Sequence, residues 1–289
     1  MARAKTNGIE IEYDRYGNPA DPMILLIMGF TMQKQAWDER FCNMLVERGF
    51  QVARFDNRDV GLSSKIDDGP FPNIPAIMMG DPSSVAYSLD DMARDTVGLL
   101  DAMDVARAHI VGVSMGGMIA QLVSILFGSR VRSLTSIMST TGDRSVGSAT
   151  PEALSALMTP PPTDRAGYIE RGVEIARIIG SRSLPAPADV VRAHAAEAYD
   201  RAFFPLGGAR QFAAILSAHD RTEALHQVKV PTLVLHGAED PLIAPDGGEA
   251  TARAIPGARF ERIEKMGHDL PEPLWPQITA LIAEHASAH

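Results

Sequence analysis

The sequence has only one cysteine, Cys42, in 289 residues, which excludes a disulfide within the chain. A single cysteine is consistent with a reducing compartment. Residues 1–8 lack the apolar stretch of a secretory signal peptide, and no apolar run approaches the roughly 20 residues needed to cross a bilayer. We therefore expect a cytoplasmic protein that does not insert into membranes.

Positive charge is also scarce, since 27 Lys and Arg residues stand against 36 Asp and Glu residues, a net charge of −9. Without a basic cluster, nucleic acid is not an expected partner. The sequence lacks the glycine-rich dinucleotide motif, the phosphate-binding loop and the His-Glu-x-x-His zinc motif. We therefore expect no organic cofactor and no metal ion.

Strand-like and helix-like segments alternate through much of the chain, which predicts an α/β protein with a mostly parallel sheet flanked by helices. A hairpin with its turn at Asn7 and Gly8 begins the chain. Residues 35–48, 88–103 and 273–285 have helical spacing, and residues 64–87 form a long loop. The predicted later strands are Met23–Met28, Gln51–Phe55, Ala108–Val111, Leu134–Met138, Pro231–His236 and Arg259–Ile263.

Strand-like runs are absent from residues 142–225, where Ala, Arg and Pro become frequent. This stretch is too long for a loop and too helical for the alternating pattern. It predicts a helical cap, or lid, inserted into an α/β core formed by residues 1–141 and 226–289. The predicted helices of this cap are Glu152–Met158, Asp164–Ile179, Ala188–Phe203 and Ala209–Leu225.

The most informative motif is Gly112-Val-Ser-Met-Gly116, because a predicted strand precedes it and a predicted helix follows it. The five-residue pattern alone arises by chance. A serine on a tight strand-to-helix turn, with glycines two residues away on each side, is the pattern of a nucleophile elbow. Glycines are needed there because a Cβ would collide with the neighbouring strand or helix. Ser114 is therefore the candidate nucleophile.

A serine nucleophile requires a base and an acid that orients it, and both follow predicted strands. His268 is on the loop after the last strand, where its imidazole could reach Ser114. Asp240 follows the strand that ends at His236, and a turn with a proline sets its direction. Loops at the carboxyl ends of parallel strands converge on one crevice. Asp143 and Glu239 are alternative acids, whereas Asp269 is poorly placed to face the histidine.

Hydrolysis through an acyl-enzyme also requires two N–H donors that stabilise the oxyanion. The backbone N–H of Met115 follows the nucleophile at the positive end of its helix. Gly29 allows the turn after the predicted strand Met23–Met28 to bend toward the serine. The N–H of Phe30 is therefore the second predicted donor. Both roles belong to the backbone, and both side chains remain free to line a pocket.

The sequence contains five motifs in order, which are Met28–Phe30, Asp56–Ser63, Gly112–Gly117, His236–Pro241 and Gly267–His268. Together they give it a resemblance to the α/β-hydrolase superfamily over nearly its full length. It looks most like a subgroup of bacterial esterases that includes aclacinomycin methylesterase. In this resemblance Arg58 and Asp59 form a structural ion pair near the crevice. Ser rather than Asp at position 114 argues against the dehalogenase and epoxide-hydrolase branches.

The resemblance implies a serine esterase that cleaves a small, apolar carboxylic ester through a Ser-His-Asp triad and an acyl-enzyme. One alternative is the same triad acting on a thioester, an amide, a C–C bond or a perhydrolase substrate. A second alternative, from another class, is a ligand receptor that retains the fold. An intact triad argues against a receptor, because binding alone requires no base.

Overall fold

The computed structural model describes residues 2–289, which form one eight-stranded sheet with helices on both faces. The strands are β1 (Ala2–Thr6), β2 (Ile9–Tyr16), β3 (Met23–Ile27), β4 (Gln51–Phe55), β5 (Ala108–Val113), β6 (Val131–Ile137), β7 (Thr232–Gly237) and β8 (Arg259–Ile263). The helices are α1 (Glu39–Val46), α2 (Ile74–Met78), α3 (Leu89–Ala102), α4 (Met115–Leu126), α5 (Pro151–Met158), α6 (Arg165–Ile179), α7 (Ala188–Arg201), α8 (Pro205–Ser217), α9 (Thr222–Leu225), α10 (Pro245–Ala254) and α11 (Trp275–Ser287).

The strand order across the sheet is β1-β2-β4-β3-β5-β6-β7-β8. β1 pairs antiparallel with β2, and β2 pairs antiparallel with β4. All pairs from β4 to β8 are parallel, as expected for strands joined by helical crossovers. Asn7 and Gly8 both have positive φ, which gives the tight turn of the predicted hairpin.

The apolar core forms two layers, one on each face of the sheet. Alternate residues of β3 divide between them, with Leu25 and Ile27 in one layer and Ile24 and Leu26 in the other. Helices α3, α4 and α10 cover the first layer, and α1 and α11 cover the second. Every residue of β3 is buried, which explains its uninterrupted apolar sequence.

The helices differ from the sequence prediction at four places. Helix α1 begins later than residue 35, because the carboxylate of Asp38 accepts from the N–H of Arg40 and caps the helix there. The predicted long loop contains α2, which Asn73 caps. Residues 209–225 are two helices, since the chain leaves α8 at Ala218 and the N–H of Arg221 bonds to Thr141. Helix α10 lies outside every predicted helix.

Helices α5 to α9 lie between β6 and β7 in the chain, and we call residues 142–225 the helical segment. Helices α6 and α7 pack against each other, and neither contains a fully buried residue. Polar contacts join this segment to the rest of the protein at several points. None of the helices formed by residues 2–289 has the length and apolar character required to traverse a bilayer.

Candidate active site

Ser114 occupies a strained turn between β5 and α4, with φ 56° and ψ −120°. A non-glycine residue in this region requires support from its surroundings. The N–H of Ser114 donates to Ile137 at 2.8 Å, and its carbonyl accepts from the Ser139 hydroxyl at 2.9 Å. A Cβ at Gly116 would lie 2.2 Å from the carbonyl oxygen of Ile27. The elbow glycine therefore permits a close approach of helix and strand, as predicted.

His268 lies on the loop that follows β8, and its side chain is 7% exposed. Its Nε2 is 2.9 Å from Oγ of Ser114, although the two residues are 154 positions apart in the chain. A Cβ on the preceding Gly267 would lie 2.5 Å from the backbone of Gly180. The glycine thus allows the histidine loop to run directly against the helical segment.

Asp240 lies on the turn after β7, and its side chain is completely buried. Its Oδ1 accepts from the N–H groups of Leu242 and Ile243, both at 2.9 Å, so Oδ2 is directed at Nδ1 of His268 at 2.7 Å. Burial by itself would raise the pKa of Asp240. The charge of His268 and the hydrogen bonds from His236 and His268 outweigh burial and hold this pKa well below its ordinary value.

A second histidine, His236, also contacts this carboxylate. The sequence analysis predicts only that His236 ends a strand. Its ring is fully buried, with Nε2 2.8 Å from the carbonyl of Ile243 and 3.4 Å from Oδ2 of Asp240. A Cβ at Gly248 of α10 would lie 2.3 Å from its Nδ1. The i, i+4 spacing of His236 and Asp240 was the available signal, and the glycine in α10 provides the space.

The alternative acids are bonded elsewhere. Asp143 accepts from the N–H of Ser145 on its own loop. Glu239 accepts from Ser183, and Asp269 accepts from Ser181, both in the helical segment. The structure therefore brings together the three residues selected from the sequence and directs the other carboxylates to different partners.

One predicted oxyanion donor, Met115, follows Ser114 in the chain, and the other, Phe30, follows Gly29, which lies against the serine. Met115 is the first residue of α4, so its N–H has no carbonyl partner one turn earlier. Gly29 lies against the serine, since a Cβ there would be 3.2 Å from Cβ of Ser114 and 3.7 Å from Oγ. Phe30 follows this glycine, and its ring packs 5.9 Å from that of Phe212 in α8.

Arg58 and Asp59 do not pair with each other, so the predicted ion pair is wrong. The guanidinium of Arg58 binds both carboxylate oxygens of Asp95 at 2.6 Å and lies over the ring of Tyr87. Asp59 instead lies 3.8 Å from Arg210 of α8, and it accepts from the N–H of Ile66. The two adjacent side chains therefore have partners in different elements, and Asp59 itself has a left-handed backbone with φ 65°.

Within residues 2–289, the His, Cys, Asp and Glu side chains form no group of three or more with the arrangement of a metal site. The histidine and carboxylate beside Ser114 are instead occupied with each other. This arrangement can transfer a proton from a hydroxyl to an imidazole whose other nitrogen faces a carboxylate.

Comparison with known proteins places this geometry in a family. Residues 22–272 match the model of the alpha/beta hydrolase fold. The chain belongs to the α/β-hydrolase family. It is 30% identical to rhodomycin D methylesterase DnrP of Streptomyces peucetius, over 94% of this chain and 93% of that protein. The predicted family and fold class are confirmed, and the predicted ester hydrolase agrees with this relative.

Solved structures share the fold at lower identity. The meta-cleavage product hydrolase CumD of Pseudomonas fluorescens IP01 superposes with a TM-score of 0.78 and 18% identity, over 100% of this chain and 98% of that one. The enol-lactonase of Burkholderia xenovorans LB400 superposes with a TM-score of 0.76 and 20% identity, over 99% and 100%. These two similarities establish the architecture alone.

Proposed function

We propose that this α/β hydrolase cleaves carboxylic esters with Ser114 as nucleophile, His268 as base and Asp240 as orienting acid. The observation that carries the proposal is the continuous chain of two hydrogen bonds, 2.9 Å from Ser114 to His268 and 2.7 Å from His268 to Asp240. Three residues distant in sequence meet in the arrangement that activates a serine hydroxyl.

In the proposed mechanism, Nε2 of His268 takes the hydroxyl proton while Oγ of Ser114 bonds to the ester carbonyl carbon. The N–H groups of Phe30 and Met115 stabilise the negative oxygen of the tetrahedral intermediate. The ester C–O bond then breaks, and His268 returns the proton to the departing alkoxide, which leaves as an alcohol. In the second half, His268 takes a proton from a water molecule whose oxygen bonds to the acyl carbon. It then gives this proton to Oγ of Ser114 as the acyl–Oγ bond breaks and the acid is released. Asp240 keeps a proton on Nδ1 of the imidazole throughout, both when the ring is neutral and when Nε2 has taken the second proton.

A small ester with an apolar acyl or alcohol group is the proposed substrate class, and methyl esters are the first candidates. The support is the similarity to rhodomycin D methylesterase together with the aromatic contact between Phe30 and Phe212. Phe30 belongs to residues 29–31 after β3, which we call the oxyanion turn. The same contact supports a cap formed by the helical segment, because α8 reaches the predicted oxyanion donor. The cytoplasmic location stays a prediction.

The proposal is tested with a panel of methyl, p-nitrophenyl and thio esters and lactones, with the wild-type protein beside Ser114→Ala. We expect wild-type turnover of carboxylic esters and a loss of several orders of magnitude in kcat in the variant. Ser155→Ala on the exposed face of α5 is the matched control and should retain full activity. Undiminished ester hydrolysis by Ser114→Ala would refute the proposal, and turnover of thioesters alone would select the alternative substrate.

A further inference from the structure

The helical segment contacts two of the loops that carry the proposed catalytic groups. Its helix α8 reaches the turn that contains Phe30, through Gln211. The chain between α6 and α7 reaches the loop that contains His268, through Ser181. Each contact is made by a buried polar side chain bonded to the backbone of the loop, and such bonds are costly to leave unmade.

Gln211 bonds to the residue after the predicted oxyanion donor. Its Oε1 accepts from the N–H of Thr31 at 2.8 Å, and its Nε2 donates to the carbonyl of Arg58 at 3.0 Å. Thr31 has φ 60°, a conformation that a β-branched residue adopts only when its surroundings impose it. The buried amide of Gln211 supplies that constraint. The peptide plane that Gln211 holds is joined to the plane carrying the N–H of Phe30 through the single Cα of Phe30, so fixing it restricts the directions that this N–H can take.

Ser181 bonds to the backbone on one side of His268 and to the side chain on the other. Its hydroxyl accepts from the N–H of Gly267 at 2.8 Å and donates to Oδ1 of Asp269, which also accepts from the N–H of Ser181 at 3.0 Å. The N–H of His268 itself donates to the carbonyl of Ile179 at 2.8 Å. Residues 267–269, which we call the base loop, are thus all bonded to residues 179–181 of the helical segment.

We propose that Gln211 and Ser181 are positioning residues, through which the helical segment sets the geometry of the oxyanion turn and of the base loop. This inference rests on the proposed function. It gives the segment a part in the chemical step besides covering the substrate. Their loss should therefore lower kcat more than it raises KM, because a misplacement of about 1 Å at a catalytic group can cost about 100-fold in rate.

The first test replaces Gln211 with methionine, which retains the length of the side chain and removes both hydrogen bonds. We expect kcat for a p-nitrophenyl ester to fall about 10- to 100-fold with KM changed less than about 3-fold. A trifluoromethyl ketone, which forms a tetrahedral oxyanion on a serine, should bind more weakly by a similar factor. The matching methyl ketone should bind as before. Gln211→Asn, which retains the amide on a shorter stem, is the second variant.

The second test replaces Ser181 with alanine and with threonine. Alanine removes the hydroxyl that bonds to Gly267 and Asp269, and we expect about a 10-fold lower kcat with little change in KM. Threonine retains the hydroxyl and should restore most of the rate. Ser155→Ala and Ser217→Ala, in α5 and α8, are the control variants. Circular dichroism and titration of active sites establish that each rate refers to folded protein.

The outcomes separate this inference from the proposed function. If the wild-type protein hydrolyses no ester, the proposed function fails. If it hydrolyses esters but Gln211→Met and Ser181→Ala retain wild-type kcat and ketone affinities, only the positioning role fails. A parallel loss of affinity for both ketones, or an equal loss in Ser181→Ala and Ser181→Thr, indicates general damage to the fold and likewise overturns the inference.

Discussion

Replacing Asp240 with asparagine tests the proton arrangement of the site without changing its shape. Two backbone N–H groups bond to Oδ1, so an asparagine must place its oxygen there and direct its NH2 group at Nδ1 of His268. Two N–H donors cannot face each other. The imidazole must therefore carry its proton on Nε2, which faces Ser114 and can then no longer accept the serine proton.

The expected loss is about 10³- to 10⁴-fold in kcat, which corresponds to about 4–5.5 kcal/mol of transition-state stabilisation. KM should change little, because Asp240 is buried behind the histidine and does not line the site. The assay is hydrolysis of a p-nitrophenyl ester over a range of pH. Asp143→Asn is the control, since that carboxylate bonds only to its own loop. An Asp240→Asn enzyme with a tenth or more of wild-type kcat would refute this account of the tautomer.

Three further predictions concern stability and the support of the site. Gly248→Ala should destabilise the fold by about 1–3 kcal/mol and lower kcat, because its Cβ would meet the His236 ring at 2.3 Å. Asp95→Ala should cost about 3–5 kcal/mol in urea unfolding, because it leaves Arg58 buried and unpaired. Burial and then nearby positive charge lower the pKa of His109 to about 4, so stability should fall by about 2 kcal/mol between pH 7 and pH 4.5.

Stability falls with falling pH because His109 has a different pKa in the folded and the unfolded chain, and in the unfolded chain a histidine has its ordinary pKa near 6.5. As the pH falls below that value, the unfolded state takes up a proton that the folded state excludes until about pH 4. His109→Gln should flatten this dependence. An equally steep fall in the variant would assign the effect to other groups.

Matched substitutions serve as controls for Gly248→Ala and Asp95→Ala. Gly128→Ala places its Cβ in open space and should not destabilise the protein as Gly248→Ala does. Asp101→Asn removes the exposed partner of Arg130 and should cost less than about 1 kcal/mol. Equal effects in each pair would contradict the roles assigned to Gly248 and Asp95.

The parts of the fold that the sequence predicts well are those with strong local signals. The apolar run of β3 and the helical spacing of residues 88–103 both correspond to elements where the pattern indicates them, and Ser88 and Asp91 form a capping box at the start of α3. Helix α10 escaped prediction because it is short and has two consecutive glycines, Gly247 and Gly248, which local propensity disfavours. Gly248 leaves space for the ring of His236 in β7. This is a tertiary contact, and no local sequence pattern indicates it.

The candidate site shows the same division. Ser114, Asp240 and His268 each follow a strand, so topology alone predicts that they converge. Gln211, Ser181 and their partners could not be found in this way. Their bonds join segments separated by 86 to 180 residues, and nothing in the local sequence distinguishes the one amide or hydroxyl that becomes buried. The predicted pairing of Arg58 with Asp59 is wrong for a related reason, since the actual partner, Asp95, lies in α3.

The central claim is that Ser114 is the nucleophile of an ester hydrolase, and covalent labelling tests it most directly. Wild-type protein is treated with a fluorophosphonate, which loses fluoride as a serine oxygen bonds to phosphorus, and the modified peptide is identified by mass spectrometry. We predict one label per chain on Ser114, loss of esterase activity in proportion to labelling, and no label in Ser114→Ala. Inactivation with the label on a different residue, or an active protein that stays unlabelled at Ser114, would contradict the claim.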